Sequence, residues 1–308
     1  MKKLVLLCLT LLLTFSFVGC TTEEKADIYT SIYPLEFLVN EIVGDEFVVR
    51  NAYPRGADVH SYELPAKRIV NMSESKAIFF IGAGLEKFIQ EAKDTTFKNL
   101  GDDVVELSEY LVMLYPGEDH AHSHGDHDFM VDPHVWLDPE RMIIMAEVIL
   151  DKVIELKPDM ADEFTANAED LIIRLEKLHQ KFIEELSDEK YKEKYILVDH
   201  DAYLYWEEIY GIKRMRIRPD NQSTEIDPKT MEQNLNKIKE LGIKHIVVTE
   251  NEAISSIIET YQHEADLEIA TLHSLATITD KQHEDGLDYI DLMESNLRVL
   301  KRILPQKD

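Results

Sequence analysis

The sequence predicts an α/β protein of two lobes, each with a mostly parallel sheet flanked by helices, joined by a long rigid backbone helix. Three observations carry that prediction. Short β-branched runs alternate with helical patterns from Asp27 to Leu107, the signature of βα units on a parallel sheet. The same alternation resumes at Tyr195 and runs to the end, without any internal sequence repeat. Between the two lies Asp159 to Ser187, where Phe164, Ala168, Leu171, Leu175, Leu178, Phe182 and Leu186 recur at steps of three and four. They form one apolar stripe on an otherwise charged helix. At 1.5 Å per residue this helix spans roughly 40 Å, the breadth of a lobe or more. A coiled coil would carry the same stripe, but sheet-forming segments on both sides favour a spine joining two lobes.

The chain opens with an export signal, residues 1–19. Lys2 and Lys3 precede the apolar run Leu4 to Leu13, which is too short to span a bilayer, and the segment closes on Phe17-Val18-Gly19-Cys20. A small residue followed by cysteine resembles the lipoprotein signal, in which Cys20 is acylated and becomes the N-terminus. An ordinary signal cut nearby is the alternative. Residues 20–26 then form a polar tether. Cys8 leaves with the signal and Cys20 carries lipid, so neither of the two cysteines is free for a disulfide or for thiolate metal chemistry. A formal charge of −27 argues against nucleic acid or an anionic membrane surface as partner.

The first lobe, residues 27–157, begins with a strand over Ile28–Tyr33. A helix follows, bracketed by Pro34 and Gly44. Phe47–Ala52 reads as a strand, Pro65–Ser73 as a helix, Ala77–Ile81 as a buried strand, Leu85–Ala92 as a helix and Val104–Leu107 as a strand. Glu140–Leu156 is helical, and Pro158 separates it from the linking helix within residues 158–190. In the second lobe, residues 191–308, strands are expected at Tyr195–Val198, Met215–Arg218, Ile243–Val248 and Leu267–Leu272. Helices are expected at Ala202–Tyr210, Pro228–Leu241, Ser255–Ala265 and Tyr289–Ile303, with Pro219 to Asp227 a polar loop.

Four histidines follow strands. His60 lies in the loop after Phe47–Ala52 and His134 in the loop after Val104–Leu107, whereas His200 and His273 directly follow Tyr195–Asp199 and Leu267–Leu272. Ligands of open parallel sheets bind beyond the carboxyl ends of the strands. If the lobes face each other, all four imidazoles converge on one cleft. Asp132, Asp199 and Asp201 stand beside these histidines and suit the second ring N–H of a ligand imidazole; Asp201 is equally a helix cap. The tract containing His120, His122, His124 and His127 is polar and Gly-punctuated, and reads as loose, low-affinity zinc binding or as a solvated loop. His179, among Glu and Lys on the spine, reads as solvated. His245, His263 and His283 carry no assigned chemistry. Trp136, Tyr203 and Tyr205 read as core residues first and as cleft-lining residues second.

Gly56-x-Asp-x-His60-x-Tyr-Glu, Asp132-Pro-His134-x-Trp-Leu-Asp-Pro and Asp199-His200-Asp-Ala-Tyr together resemble the metal-binding solute-binding lipoproteins of bacterial ABC importers, the zinc and manganese class. The resemblance covers nearly the whole chain after the signal, including Tyr289, Met293 and Asn296 of the closing helix. It implies two α/β lobes, a linking helix and one metal in the cleft, held by His60, His134, His200 and His273. The partners it implies are a membrane permease and its cytoplasmic ATPase, and it implies a lipid-anchored, extracytoplasmic monomer that catalyses no reaction. His273 stands where the family commonly has an acidic ligand, and Glu250 is the carboxylate alternative. Imidazole suits Zn²⁺ and oxygen suits Mn²⁺, so this ligand set points to zinc. Neutral imidazole is the ligand form, so affinity should fall as pH drops through about 6.5. Within the class the alternative is manganese or iron capture. From other classes come a secreted zinc hydrolase, for which the chain lacks a His-Glu-x-x-His helix, and a surface adhesin.

Overall fold

The computed structural model describes residues 25–116, 131–191, 193–218, 226–250 and 254–304. Cys20, the histidines of 120–127 and most of the 219–227 loop lie outside the described residues. Two four-stranded sheets, every pairing parallel, form the two lobes. The first contains β1 (Ile28–Thr30), β2 (Val49–Asn51), β3 (Ala77–Phe80) and β4 (Val104–Glu106) in the order β2-β1-β3-β4. The second contains β5 (Tyr195–Val198), β6 (Lys213–Arg216), β7 (His245–Thr249) and β8 (Glu268–Leu272) in the order β6-β5-β7-β8. The two orders are the same permutation, so the lobes repeat one topology without a sequence repeat. In each sheet every strand presents its carboxyl end on the same edge, and the order reverses between the first and third strands, which makes a switch-point crevice.

The helices are α1 (Tyr33–Val43), α2 (Ala66–Met72), α3 (Lys87–Lys93), α4 (Pro139–Leu156), α5 (Ala161–Leu186), α6 (Leu204–Tyr210), α7 (Pro228–Leu241), α8 (Ser256–Ala265), α9 (Asp280–Glu284) and α10 (Tyr289–Ile303). Among the described residues no helix is long and apolar enough to cross a membrane. The expected strand Met215–Arg218 sits earlier, at β6. Gly211, with φ 69°, closes α6 in the left-handed region, so the chain re-enters the sheet at once and Lys213 pairs with Tyr195. The expected strand Ile28–Tyr33 is cut short because Pro34, in the first turn of α1, draws Tyr33 into the helix. Helix α9 was not expected; its signal is the capping box Thr279-x-x-Gln282.

Strand side chains alternate between two cores. In β1 and β3, Ile28, Ala77 and Phe79 face inward while Tyr29, Ile78 and Phe80 face a separate cluster on the outer face. In β5 and β7, Ile196, Val198 and Val247 join the inner core and Leu197, Ile246 and Val248 the outer one. The inner faces of both sheets thus share one continuous core with α1, α4, α5 and α10. The spine α5 lies across it, with all seven stripe residues buried. Its Arg174 pairs with Glu41 of α1 and, at 3.0 Å, with Asp288 at the head of α10. Lys181 pairs with Glu294 of α10 at 2.7 Å. His179 is a correction: the side chain expected to be solvated is 6% exposed. Tyr210 of α6 covers it, its hydroxyl 3.4 Å from Nδ1, and Glu140 of α4 lies 3.6 Å from Nε2. The charged neighbours of His179 in sequence point elsewhere around the helix, whereas its own face meets α6.

Candidate metal centre

Three of the four histidines meet at the junction of the lobes. One ring nitrogen from each of His60, His134 and His200 lies within 4.8 Å of the other two. The ring centroids are 5.0 to 5.6 Å apart. The Nε2 atoms of His134 and His200 stand 3.3 Å from each other. Two ligands of a tetrahedral ion with Zn–N of about 2.0–2.1 Å are separated by about 3.3–3.4 Å, so this pair already has the spacing of two vertices. The surrounding cavity has a volume of about 50 Å³.

Each imidazole is set by its own local device. His60 lies in a loop whose reversal uses Gly56, at φ 73°, a backbone conformation that glycine adopts without strain. The Asp58 carboxylate accepts the His60 amide at 2.9 Å, and the amide of Gly56 donates to the carbonyl of Ile278 in the other lobe at 3.2 Å. Asp132 accepts from His134 twice, from the amide at 2.9 Å and from ring Nδ1 at 2.7 Å. With Nδ1 carrying the proton, the Nε2 lone pair points into the cavity. His200 follows β5 directly, on the first turn beyond the sheet edge, and the preceding amide of Asp199 donates to the carbonyl of Val247 at 3.1 Å. Asp199 and Asp201 do not serve His200 as Asp132 serves His134. Asp199 forms a two-pronged pair with Arg218, one prong at 2.6 Å, and Asp201 pairs with Arg214, so neither caps α6.

The loop carrying His134 is clamped from the second lobe. Trp136 Nε1 donates to the carbonyl of Ser274 at 2.7 Å, Trp206 Nε1 to that of Leu137 at 2.8 Å, Tyr205 to that of Asp132 at 2.8 Å, and Tyr289 to that of Trp136 at 2.7 Å. All four aromatic side chains are fully buried. Trp136 also borders the cavity, its ring 5.2 Å from that of His134, so it both packs the core and walls the site.

The electrostatics favour neutral imidazoles. Burial, and then the neighbouring His134, lower the pKa of His60 to about 4 against the opposing pull of Asp58 and Asp132. His60 keeps an exposed outer edge while its inner face is enclosed by the other two rings. Burial, then His134, His60 and Arg218, hold His200 well below the ordinary histidine value. Both groups therefore offer lone pairs at neutral pH with no proton to displace.

His273 is not brought into the triad. Its ring Nδ1 is hydrogen-bonded to the Glu250 carboxylate, and it borders the next cavity, of about 340 Å³. Glu250 borders both cavities. Burial pushes the Glu250 carboxyl up, but the hydrogen bonds from His273 and Gln282 outweigh it and the net direction is down, so the group stays charged. Sequence reasoning did not anticipate Gln282 in this cluster, although its capping-box spacing from Thr279 was legible. Among the described residues a second group of possible ligand atoms is formed by Asp138, Glu140 and His179. There the Asp138 carboxylate is already engaged by Arg141 and by the amide of Glu140.

Residues 28–303 match the family described as zinc-uptake complex component A, periplasmic. The chain is 29% identical over 334 aligned positions to the zinc-binding protein AdcA of Streptococcus pyogenes, which takes in 100% of this chain and 64% of that protein. It thus spans less than two thirds of that relative's length. It is 27% identical to the manganese-binding lipoprotein MntA of Halalkalibacterium halodurans, covering 96% of this chain and 97% of that one. The crystal structure of the Zn(II)-bound ZnuA-like domain of Streptococcus pneumoniae AdcA superposes with a TM-score of 0.76 at 26% identity, over 92% of this chain and all of that domain. With a match that runs from β1 to the end of α10, and with the two-lobe fold and long helix shared, this chain belongs to the zinc-uptake complex component A family of metal-binding ABC-importer components.

Proposed function

We propose that this protein captures one Zn²⁺ tightly between its lobes, outside the cytoplasm, and hands it to a membrane permease driven by an ATPase. Its own chemistry is binding, not catalysis. The observation that carries the reading is the convergence of the His60, His134 and His200 ring nitrogens, two of them already at the spacing of tetrahedral ligands. A cavity of about 50 Å³ admits an ion and little else, well below the roughly 300 Å³ and upward of ordinary small-molecule sites. Lipid attachment through Cys20 after removal of residues 1–19 would keep the protein at the membrane face from which the permease is loaded. Manganese capture is the second reading. What favours it is the charged Glu250 on the cavity wall, an oxygen donor of the kind Mn²⁺ prefers, together with the manganese-binding relative. Competition titration of the metal-stripped protein tests both. One tight zinc per chain, with manganese bound far more weakly, is expected; tight manganese and weak zinc would overturn the zinc assignment.

The pH profile follows from the lowered histidines. An ordinary histidine at about 6.5 weakens metal binding nearly tenfold between pH 7 and 5.5, and three such groups weaken it several-hundred-fold. His60 titrates only near 4 and His200 well below 6.5. Zinc affinity is therefore expected to fall far less than that over the range, and the decline expected from the sequence at 6.5 moves lower. The metal-free fold behaves differently. Below about 6.5 the unfolded chain takes up protons that folded His60 and His200 refuse, so stability falls as the pH drops from 6.5 towards 4. Calorimetric titration at pH 7, 6.2 and 5.5 measures the first effect, and thermal melts of metal-free protein measure the second.

Deleting residues 120–127 is expected to leave the tight site at full affinity and to remove only weak additional zinc uptake, read by equilibrium dialysis at high and low free zinc. Loss of the tight site on deletion would make the tract part of it.

A further inference from the structure

Resting on the three-histidine reading above, we propose that Arg141 is a positioning residue of the metal centre: together with Tyr205 it locks the segment 112–114 onto Asp132, and so fixes the carboxylate that orients His134. Arg141 lies in the first turn of α4, and its side chain is 14% exposed. The guanidinium is used on every side. Nη1 pairs with the fully buried carboxylate of Asp138, which also accepts the Glu140 amide at 3.0 Å, so the group is anchored to the capped head of α4. Nε and Nη2 both donate to the carbonyl of Val112, at 3.1 and 2.9 Å. Cζ sits over the Tyr205 ring, 4.4 Å from its centre, within cation–π range.

What Arg141 holds is the surround of Asp132. The chain leaves Leu111 in an extended conformation, and the Val112 side chain is 78% exposed, so packing does not hold that residue in place. Two residues on, Leu114 closes a ring of hydrogen bonds. Its carbonyl accepts the Asp132 amide at 2.8 Å, its amide donates to the Tyr205 hydroxyl at 3.3 Å, and that hydroxyl donates to the Asp132 carbonyl at 2.8 Å. The Asp132 backbone is thus gripped on both sides, while its carboxylate accepts the His134 amide and ring Nδ1. Arg141 supports this ring at two points, through the Val112 carbonyl and through the face of Tyr205. A planar fork can serve a carbonyl, a carboxylate and an aromatic face together, whereas the single ammonium of a lysine cannot. Without the guanidinium, Leu114 and Tyr205 gain freedom, and the Asp132 carboxylate loses its fixed aim at Nδ1. The direction of the effect is diagnostic. Removing a positive charge near a cation site strengthens binding by Coulomb's law, whereas losing the support of an orienting carboxylate weakens it.

The test titrates zinc against a chromophoric chelator on metal-stripped protein and reads the His134 tautomer by nitrogen NMR of the metal-free, histidine-labelled chain. Arg141→Gln is expected to weaken zinc binding about tenfold and to turn a single His134 tautomer, protonated at Nδ1, into a mixture. Arg141→Lys should recover part of the loss. In an Asp132→Ala background Arg141→Gln is expected to cost no further affinity, because it acts through Asp132, although the melting temperature should still fall. Tyr205→Phe keeps the ring and removes both hydroxyl bonds; its expected loss of about tenfold keeps the test open if Arg141→Gln fails to fold. Tighter zinc binding in Arg141→Gln would mean that the guanidinium acts as a charge and would overturn the proposal. So would equal losses with and without Asp132, or unchanged affinity and tautomer with only a lowered melting temperature, which would make Arg141 and Tyr205 structural. No tight zinc in the unsubstituted protein would instead bring down the three-histidine reading, and the tautomer comparison, made without metal, would still decide the positioning role.

Discussion

His134→Ala is expected to weaken zinc binding by on the order of 10³-fold, the largest effect of any single substitution at the site. Losing a group that merely orients a ligand costs about 10–100-fold, and losing the ligand itself costs more. His134 is also the imidazole that the protein holds most completely. It is 4% exposed, its ring is tied to Asp132, and the loop that carries it is pinned to the second lobe by three aromatic donors, Tyr205, Trp206 and Tyr289, and by the loop's own Trp136. Its tautomer and direction are thus set before the ion arrives, and little ordering entropy is lost on binding. Asp132→Ala should reproduce part of the loss, about 10–100-fold, because Nδ1 and Nε2 are then free to exchange the proton. Chelator competition reads both. An affinity within tenfold of the unsubstituted protein for His134→Ala would remove the triad from the binding account.

Trp206→Ala is expected to destabilise the metal-free protein by about 4 kcal/mol, with the melting temperature lowered by roughly 10 °C. The indole is fully buried between Tyr203, 4.8 Å away by centroid, and Phe182 of the spine, 6.0 Å away. Removing it leaves a cavity in the core that both lobes share. It also strips the Leu137 carbonyl of a 2.8 Å hydrogen bond from the other lobe. Because Leu137 lies three residues from His134, zinc should also dissociate faster from this variant. Trp206→Phe restores much of the packing but not the hydrogen bond, and should fall between the two in stability. A melt of Trp206→Ala indistinguishable from the unsubstituted protein would contradict the shared core.

The same contacts bear on release. The lobes share one apolar core along α5, and the histidine loops are stitched across the junction by backbone hydrogen bonds such as Gly56 to Ile278 and Tyr33 to Ala276. Wide separation of the lobes would expose that core to water, so movement of the site loops is the less costly way to loosen the ligands.

Local sequence determined the elements and the residues that end them. The three-and-four spacing of the α5 stripe, the strand–helix alternation, Pro34 at the head of α1 and Gly242 at the end of α7 act within one turn or one strand, so they are legible without the fold. It also placed histidines after strands, and strand direction alone then pointed them to one edge. Asp132 as the partner of His134 was legible for the same reason, being two residues away. Tertiary structure alone decided which histidines meet. His273 and His200 both directly follow their strands, yet β5 puts His200 beside His60 and His134 while β8, at the sheet edge, puts His273 beside Glu250 and Gln282. Asp199 and Asp201 turned to Arg218 and Arg214 because those guanidiniums arrive from β6 and the chain just after it, the neighbouring strand. His179 is buried because α6 packs over it. In each case the deciding contact comes from a segment far along the chain, and strand order and helix packing set it through a shared core whose partners no local window contains.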